Sequence, residues 1–379
     1  MTVANHSTTP STWVETLAAP LKAALQHPWV ASIVRLSAVE DSLRALHPML
    51  SLTDVRARVV RIVDETVDTK TFVLQPNALW LGRHGECRAL AGQFVQLRLE
   101  IDGRRVERIY SLSSRPGARL IAITVKRQTG GLVSPHLHDH VKVGDVLTIS
   151  QADGEFVLPA QLPAKILLLS AGSGITPVMA MLRDLQARNY QGDVVFLHVC
   201  RNPAELIFAK ALQAAADRFP ELSLLLHFDD SAGRFTPEAL HLAVPDVGER
   251  ATWMCGPSGF MDAVHRHWRT QGLSTPLHSE RFVAIPMLPT TSPGTVVTVM
   301  LAHSGAHFVT SGTAPLLMQA EAAGLSPKHG CRIGICRSCQ CTKKSGTVEN
   351  LQTGEISSTP NEQIRLCISV ARTDLALDL

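Results

Sequence analysis

Residues 165–182 read KILLLSAGSGITPVMAML, and this stretch decides the fold. Ile166 to Leu169 form an unbroken apolar run, the pattern of a strand buried on both faces of a parallel sheet. Gly172 and Gly174 permit a tight turn and close approach of an anionic group, and Pro177 suits the first turn of the helix that follows. Thr176 completes the turn, while Pro177 occupies the third glycine position of the dehydrogenase G-x-G-x-x-G pattern. Downstream, DVVFLHVC, LSLLLHF and ATWMCG read as further strands, with PAELIFAKALQAAADRF as a helix between the first two. Such alternation predicts an α/β nucleotide-binding half with a covered parallel sheet. Cys255-Gly256-Pro257-Ser258-Gly259 ends one of these strands, where parallel sheets place ligands. Either glycine turn taken alone also suits a plain strand-to-helix connection.

Upstream, from Val55, the texture is β: RARVVRIVDE, TKTFVLQP, QFVQLRLEID, RIYSLSS, LIAITVKRQ and DVLTISQ are short runs parted by turn residues. Evenly spaced strands of this kind predict an antiparallel barrel or sandwich, interrupted by one short helix at SPHLHDHV. Within it, Arg108-Ile109-Tyr110-Ser111 places Arg108 and Tyr110 on one face and Ser111 on the other. A flavin needs a flat apolar face for its ring, a donor near N5 and a cation for its phosphates, and this alternation separates the three roles. Gly130-Gly131 before Leu132, Val133 and Ser134 offers free N–H groups at a helix start for a pyrophosphate. By itself the four-residue motif also fits an edge-strand tyrosine. His136 and His140 share a helix face, but no third metal ligand accompanies them.

Past the parallel-sheet half, ERFVAIPMLPTTSPG carries Pro286, Pro289 and Pro293 and reads as a linker. Beyond it, TVVTVML and AHFVTSG predict a hairpin, APLLMQAEAAGL a helix, and LALDL a closing strand. Between them stand Cys331, Cys336 and Cys339 in C-x4-C-x2-C spacing, with Cys367 further on. Four thiolates so spaced hold a plant-type [2Fe–2S] cluster. A zinc ribbon is the alternative, though it favours a second C-x2-C pair and Cys367 stands alone. Gly330 and Gly334 let the backbone curl its N–H groups toward sulfur. Cys341 reads as a buried strand cysteine or a spare ligand; Cys87 and Cys200 have no partner at metal spacing. Lys328, Arg332, Arg337, Lys343 and Lys344 fall in a window without Asp or Glu, which predicts a basic collar around the cluster.

Composition bounds the rest. The 379 residues carry 36 basic and 33 acidic side chains, a net charge of +3 that is no nucleic-acid signature. With 45% hydrophobic residues the chain is not disordered, and its length allows several domains. No apolar run reaches the roughly 20 residues that span a bilayer, and MTVANHSTTP lacks the regions of a signal peptide. The expectation is a cytoplasmic protein, with peripheral contact at the inner membrane face open. Residues 1–50 hold the helical stretches TWVETLAAPLKAALQ and VRLSAVEDSLRAL, read as an extension packed on the body or an amphipathic contact with a membrane or partner.

RIYS, GLVS, AGSGITP, CGPSGF and the cysteine loop, in this order over about residues 53–379, resemble the ferredoxin–NADP reductase superfamily with a C-terminal plant-type ferredoxin domain. The chain is most similar to bacterial reductases that serve membrane fatty-acid desaturases, and it also resembles reductases of aromatic-ring oxygenases. The resemblance implies a helical extension (1–52), an FAD-binding β-barrel (53–160), an NAD(P)H-binding α/β domain (161–284), a linker (285–294) and a β-grasp [2Fe–2S] domain (295–379). It implies that Tyr110 packs on the flavin, Ser111 lies near N5 and Cys255 approaches the nicotinamide, and it adds Val125 and Phe282 to the cofactor-binding residues. FAD is expected over FMN. NADPH is expected over NADH because Arg201 follows the strand DVVFLHVC, where such a half meets the ribose. The implied activity moves electrons from NAD(P)H through flavin and cluster to an iron-dependent desaturase or other oxygenase, in a chain expected to be a monomer. A redox-sensing interaction protein is the alternative from another class.

Overall fold

The computed structural model describes residues 36–80, 89–282 and 296–379, apart from 304, 311, 331, 333, 335, 336, 352 and 353. The first expected helix, the expected linker 285–294, Cys87, Cys331 and Cys336 lie outside the described residues.

Helix α1 (Leu36–Leu46) leads into the first sheet. Its Glu40 is buried and accepts from Leu52 N at 2.6 Å and Ser51 Oγ at 2.9 Å, while Arg44 reaches Asp54 at 2.7 Å. Six antiparallel strands follow: β1 (Val55–Thr66), β2 (Thr69–Pro76), β3 (Phe94–Ile101), β4 (Arg104–Ser111), β5 (Ile121–Lys126) and β6 (Val146–Ile149). Their order is β4-β3-β6-β1-β2-β5. The two ends of that order meet through an antiparallel bridge between Leu112 and Ile123, which closes the sheet. Val55, Ala57 and Val59 turn inward and Arg56 and Arg58 outward, the period-two pattern of a one-faced core. Helix α2 (Val133–His140) plugs one end with Val133 and Leu137, both buried.

Five parallel strands form the next layer: β7 (Lys165–Ala171), β8 (Asp193–Cys200), β9 (Leu222–Phe228), β10 (Ala251–Cys255) and β11 (Leu277–Glu280). They lie in the order β11-β10-β7-β8-β9. The chain runs outward from β7 through β8 to β9, then crosses back to place β10 on the other side of β7. The crevice between β7 and β10 is therefore the topological switch point, where open α/β sheets bind ligands. Helices α3 (Ile175–Ala187), α4 (Ala209–Arg218), α5 (Pro237–Ala243) and α6 (Ser258–Thr270) connect the strands. The expected continuous helix PAELIFAKALQAAADRF is shorter than its pattern. Pro203–Glu205 makes a single 3-10 turn, and Phe208 turns left-handed at φ 63°, so the helix begins only at Ala209. Leu206, Ile207 and Phe208 are all buried, so packing overrides helix propensity there.

The C-terminal domain holds the hairpin β12 (Val297–Leu301) and β13 (His307–Thr310), helix α7 (Leu316–Ala322), β14 (Gln340–Ser345), β15 (Val348–Asn350), β16 (Ile356–Ser357), β17 (Glu362–Arg365), β18 (Ser369–Ala371) and β19 (Leu375–Leu377). The main sheet runs β13-β12-β19-β14-β17, with β12 and β19 parallel and a helix packed on it, the arrangement of a β-grasp. It has its own core, built around Val299, Leu317, Leu375 and Leu377.

Candidate functional site: a cleft at the sheet switch point and a cysteine loop

At the end of β7, Gly172 adopts φ 53°, and a Cβ added there would meet nothing within 4 Å, so the turn is open on its outer side. Gly174 is the opposite case. A Cβ there would lie 2.3 Å from the Cys255 carbonyl oxygen and 2.6 Å from Gly256 N, so two strand-end loops touch backbone to backbone. Thr176 Oγ1 donates to Ser173 O at 3.1 Å, and Thr176 and Pro177 are buried in the first turn of α3. A helix N-terminus under an open turn fits the pyrophosphate of a dinucleotide. Gly256 is half-buried and Pro257 exposed just beyond Cys255.

Cys255 ends β10 in register with Glu280, the last residue of β11. Glu280 in turn accepts from Ser111 Oγ of the barrel at 3.4 Å. Burial pushes the Glu280 carboxyl up to about 8, against the smaller downward pull of the Ser111 hydrogen bond. Burial, reinforced by the neighbouring Glu280, also raises the Cys255 thiol well above its ordinary range. Both groups are therefore protonated at neutral pH, and Cys255 is no thiolate nucleophile. Ser111 and Cys255 come from sequence motifs; Glu280 does not. Its signal was available, a carboxylate at the C-terminal end of a strand beside the switch point, but LHSE belongs to no glycine motif.

Tyr110 is half-buried and packs against the barrel core. Arg108 is exposed, with Nη1 donating to Glu107 O at 2.8 Å. Gly130, at φ 72°, would carry a Cβ into open space, while Ser134 Oγ accepts from Gln128 N at 3.0 Å and ties the turn to α2. Gly131 is held more tightly, since a Cβ on it would sit 3.0 Å from Gln128 O. The Val125 side chain lies in the barrel core and its carbonyl accepts from His138 Nε2 at 2.8 Å. His138 is thus committed, and among the described residues no group of three or more His, Cys, Asp or Glu is arranged to hold a metal ion. Phe282 is half-buried two residues after Glu280. Arg201 is exposed past the end of β8 but pairs with Glu205 at 3.2 Å, and Glu205 also lies 3.5 Å from Lys126.

In the C-terminal domain, Cys339 and Cys367 are both buried and linked through the Leu366 N to Cys339 O hydrogen bond of 3.1 Å. Gly334 N donates to Cys367 Sγ at 3.2 Å, and Arg365 Nη1 holds the Gly334 carbonyl at 2.5 Å. Gly334 is at φ 79°, and Arg332 and Arg337 are also left-handed, backbone turns of the kind that let an N–H face sulfur, as Gly334 N does. An N–H directed at a buried thiol is what a thiolate ligand of a cluster needs, so the described part of the loop fits a [2Fe–2S] group. Cys341, buried in β14, is pushed up to about 12 by burial and by the neighbouring Cys339.

Three of the five residues of the basic collar are corrected by the fold, while Lys328 is exposed. Lys343 is fully buried, bonded to Glu362 at 3.0 Å and to Ser357 O at 2.8 Å. Arg332 forks onto Glu321 at 2.7 and 2.9 Å, and Lys344 meets Asp378 at 3.1 Å. The acids that neutralise them come from outside the window.

Comparison with known proteins matches each layer. Residues 57–158 match the oxidoreductase FAD-binding domain, 168–266 the oxidoreductase NAD-binding domain and 299–372 the 2Fe-2S iron-sulfur cluster binding domain. The chain is 34% identical over 385 residues to an NADPH oxidoreductase of Mycobacterium tuberculosis, covering 99% of both chains. It is 30% identical to a glycine betaine monooxygenase reductase subunit of Chromohalobacter salexigens, over 85% of this chain and 94% of that one. A 3-ketosteroid-9-alpha-monooxygenase ferredoxin reductase component of Mycobacterium tuberculosis is 32% identical over 77% and 85% of the two chains. In fold it is similar to phthalate dioxygenase reductase, with a TM-score of 0.58 and 24% identity over 86% of this chain and 98% of that one. Three matched domains in series and full-length relatives identify the chain as a member of the ferredoxin-reductase-type flavoprotein oxidoreductases, with an FAD-binding, an NAD-binding and a C-terminal 2Fe-2S domain.

Proposed function

We propose that this oxidoreductase is the reductase component of an iron-dependent oxygenase system, passing electrons from NAD(P)H to the oxygenase. The observation that carries the reading is the meeting of Ser111, Glu280 and Cys255 at the switch point, in a chain that also carries a cysteine loop. When bound, the flavin accepts a two-electron hydride and the cluster relays single electrons. The chain's own contribution is placement. Tyr110 offers a flat face, Ser111 and the protonated Glu280 present neutral donors, and Cys255 shapes the nicotinamide side with a thiol that stays protonated. Gly130, Gly131 and Ser134 would seat the flavin phosphates, with Arg108 as the added cation, and Gly172, Gly174, Thr176 and Pro177 would seat the nicotinamide dinucleotide. Cys331, Cys336, Cys339 and Cys367 would hold the cluster. Arg201 would favour NADPH by pairing with a 2′-phosphate, in exchange for Glu205.

The relatives named for monooxygenases support an oxygenase as acceptor. The finer assignment to a membrane fatty-acid desaturase rests on the sequence resemblance. No helix among the described residues is long and apolar enough to cross a membrane. Anaerobic titration of the holoprotein with NADPH or NADH should bleach the flavin and then raise the EPR signal of a reduced cluster. Supplying a soluble oxygenase component and a vesicle-bound desaturase in parallel assays identifies the acceptor. Flavin that stays oxidised under both nucleotides would sink the reading.

A further inference from the structure

One half-buried cation lies outside the site just described. Arg183 stands in the third turn of α3, about 12 Å along the helix from its first residue at 1.5 Å per residue. Its Nη1 donates to the carbonyl oxygen of Ser113, two residues beyond Ser111. Its guanidinium lies over the Phe208 ring, 5.3 Å from the centroid. Phe208 is buried and holds the left-handed φ of 63°, a conformation that bulky residues rarely adopt unless their surroundings enforce it.

The barrel side of this contact is equally constrained. Ser113 is completely buried; its N–H donates to Ala122 O at 2.8 Å and its hydroxyl meets Thr124 Oγ1 at 3.0 Å. Leu112 N donates to Gln93 O at 2.8 Å. The barrel thus engages the N–H groups of residues 112 and 113, and Arg183 engages the carbonyl of residue 113 from the sheet-and-helix layer. The strand end that carries Ser111 is pinned to the barrel on one side and to α3 on the other.

Helix α3 begins at the turn proposed to seat the dinucleotide, so one rigid element touches both halves of the reaction. Ser111 to Glu280 is one link across the cleft, and Ser113 to Arg183 is a second. We infer that Arg183 is a positioning residue for hydride transfer, fixing the Ser111 strand end relative to the helix that holds the nicotinamide dinucleotide. A planar guanidinium suits this task, because it can donate in its plane while its face rests on Phe208. The inference rests on the functional reading above. It adds a residue that acts through the Ser113 carbonyl and the Phe208 ring.

The experiment is anaerobic stopped-flow reduction of the FAD-loaded full-length protein, using nicotinamide nucleotide deuterated or not at C4. Misplacement by about 1 Å lowers such rates by up to about 10²-fold, so Arg183→Leu should lower the limiting rate of flavin reduction at least about tenfold. The apparent Kd should change less than about threefold, the charge-transfer absorbance should weaken and the isotope effect should grow, a split that mere loss of stability would not produce. Arg183→Lys, which keeps a donor but loses the planar stack, and Phe208→Leu should move the same readouts less. If Arg183→Leu does not retain flavin, those two variants carry the test. Limiting rates and isotope effects within twofold of wild type in flavin-loaded variants would overturn the inference. Wild-type flavin that neither nucleotide reduces would instead overturn the functional reading.

Discussion

Glu280 shows how much chemistry one buried carboxyl can set. Its folded-state pKa of about 8 lies above the ordinary 4.5, so its contribution to stability is present below pH 4.5 and is lost as pH rises through 8. The same ionisation puts a negative charge beside Ser111, at the proposed flavin site, where reduction would add electron density. Flavin reduction should therefore slow as pH rises through about 8. Glu280→Gln, which keeps the shape without the charge, should flatten the rate profile through about pH 8 and the fall of the urea midpoint from about pH 5 to about 8. A Gln variant with the wild-type slope would assign the titration to another group. The cysteines make a second case. Cys341 is a protonated strand thiol, whereas Cys367 receives a backbone N–H. Cys341→Ala should leave the EPR signal of the reduced protein intact, and Cys339→Ser or Cys367→Ser should abolish or reshape it. Spacing offers these thiols as ligands because ligand geometry is local, and of the four only Cys339 and Cys367 fall among the described residues. Glu280 escaped because its neighbours, Ser111 and Cys255, are far away in the chain.

At the level of elements, the turn at Gly172–Gly174 is legible because each glycine answers a local demand. Which glycine matters for which reason is not. Gly172 is required for its left-handed backbone, Gly174 for contact with the Cys255 carbonyl. Gly174→Ala would drive a methyl group to 2.3 Å from that oxygen, so the β7 and β10 loops must part. The expected result is retained FAD and a loss of at least about tenfold in NAD(P)H-dependent flavin reduction, on the scale that misplacement by about 1 Å brings. An unchanged rate would show that the loops can separate without consequence. The shortened helix α4 teaches the converse. Its amphipathic pattern extends back to Pro203, yet Phe208 breaks it because the ring is buried under Arg183, a contact no helical periodicity encodes. Three members of the basic window, Arg332, Lys343 and Lys344, are neutralised for the same reason: Glu321, Glu362 and Asp378 reach them only through the fold.

Across the whole molecule, the domains should be separable because their cores are. The barrel core gathers residues from Val55 to Ile149, and the C-terminal core gathers residues from Val297 to Leu377. These two clusters share no residue, so ending the chain at residue 294 should leave the barrel and the parallel-sheet layer folded with FAD bound. Ferricyanide accepts electrons from flavin directly, so its reduction by NAD(P)H should stay within about twofold of the full-length value. An oxygenase that draws its electrons from the cluster should instead lose at least about tenfold in supported turnover, because intramolecular delivery at millimolar-scale effective concentration is gone. Adding the isolated segment 296–379, reconstituted with iron and sulfide, should restore part of that turnover in a concentration-dependent way. Two results decide the matter. Full oxygenase turnover by the truncated chain would place the cluster off the electron path. Loss of ferricyanide reduction together with FAD would show that the first two layers depend on the third, against the separation of their cores.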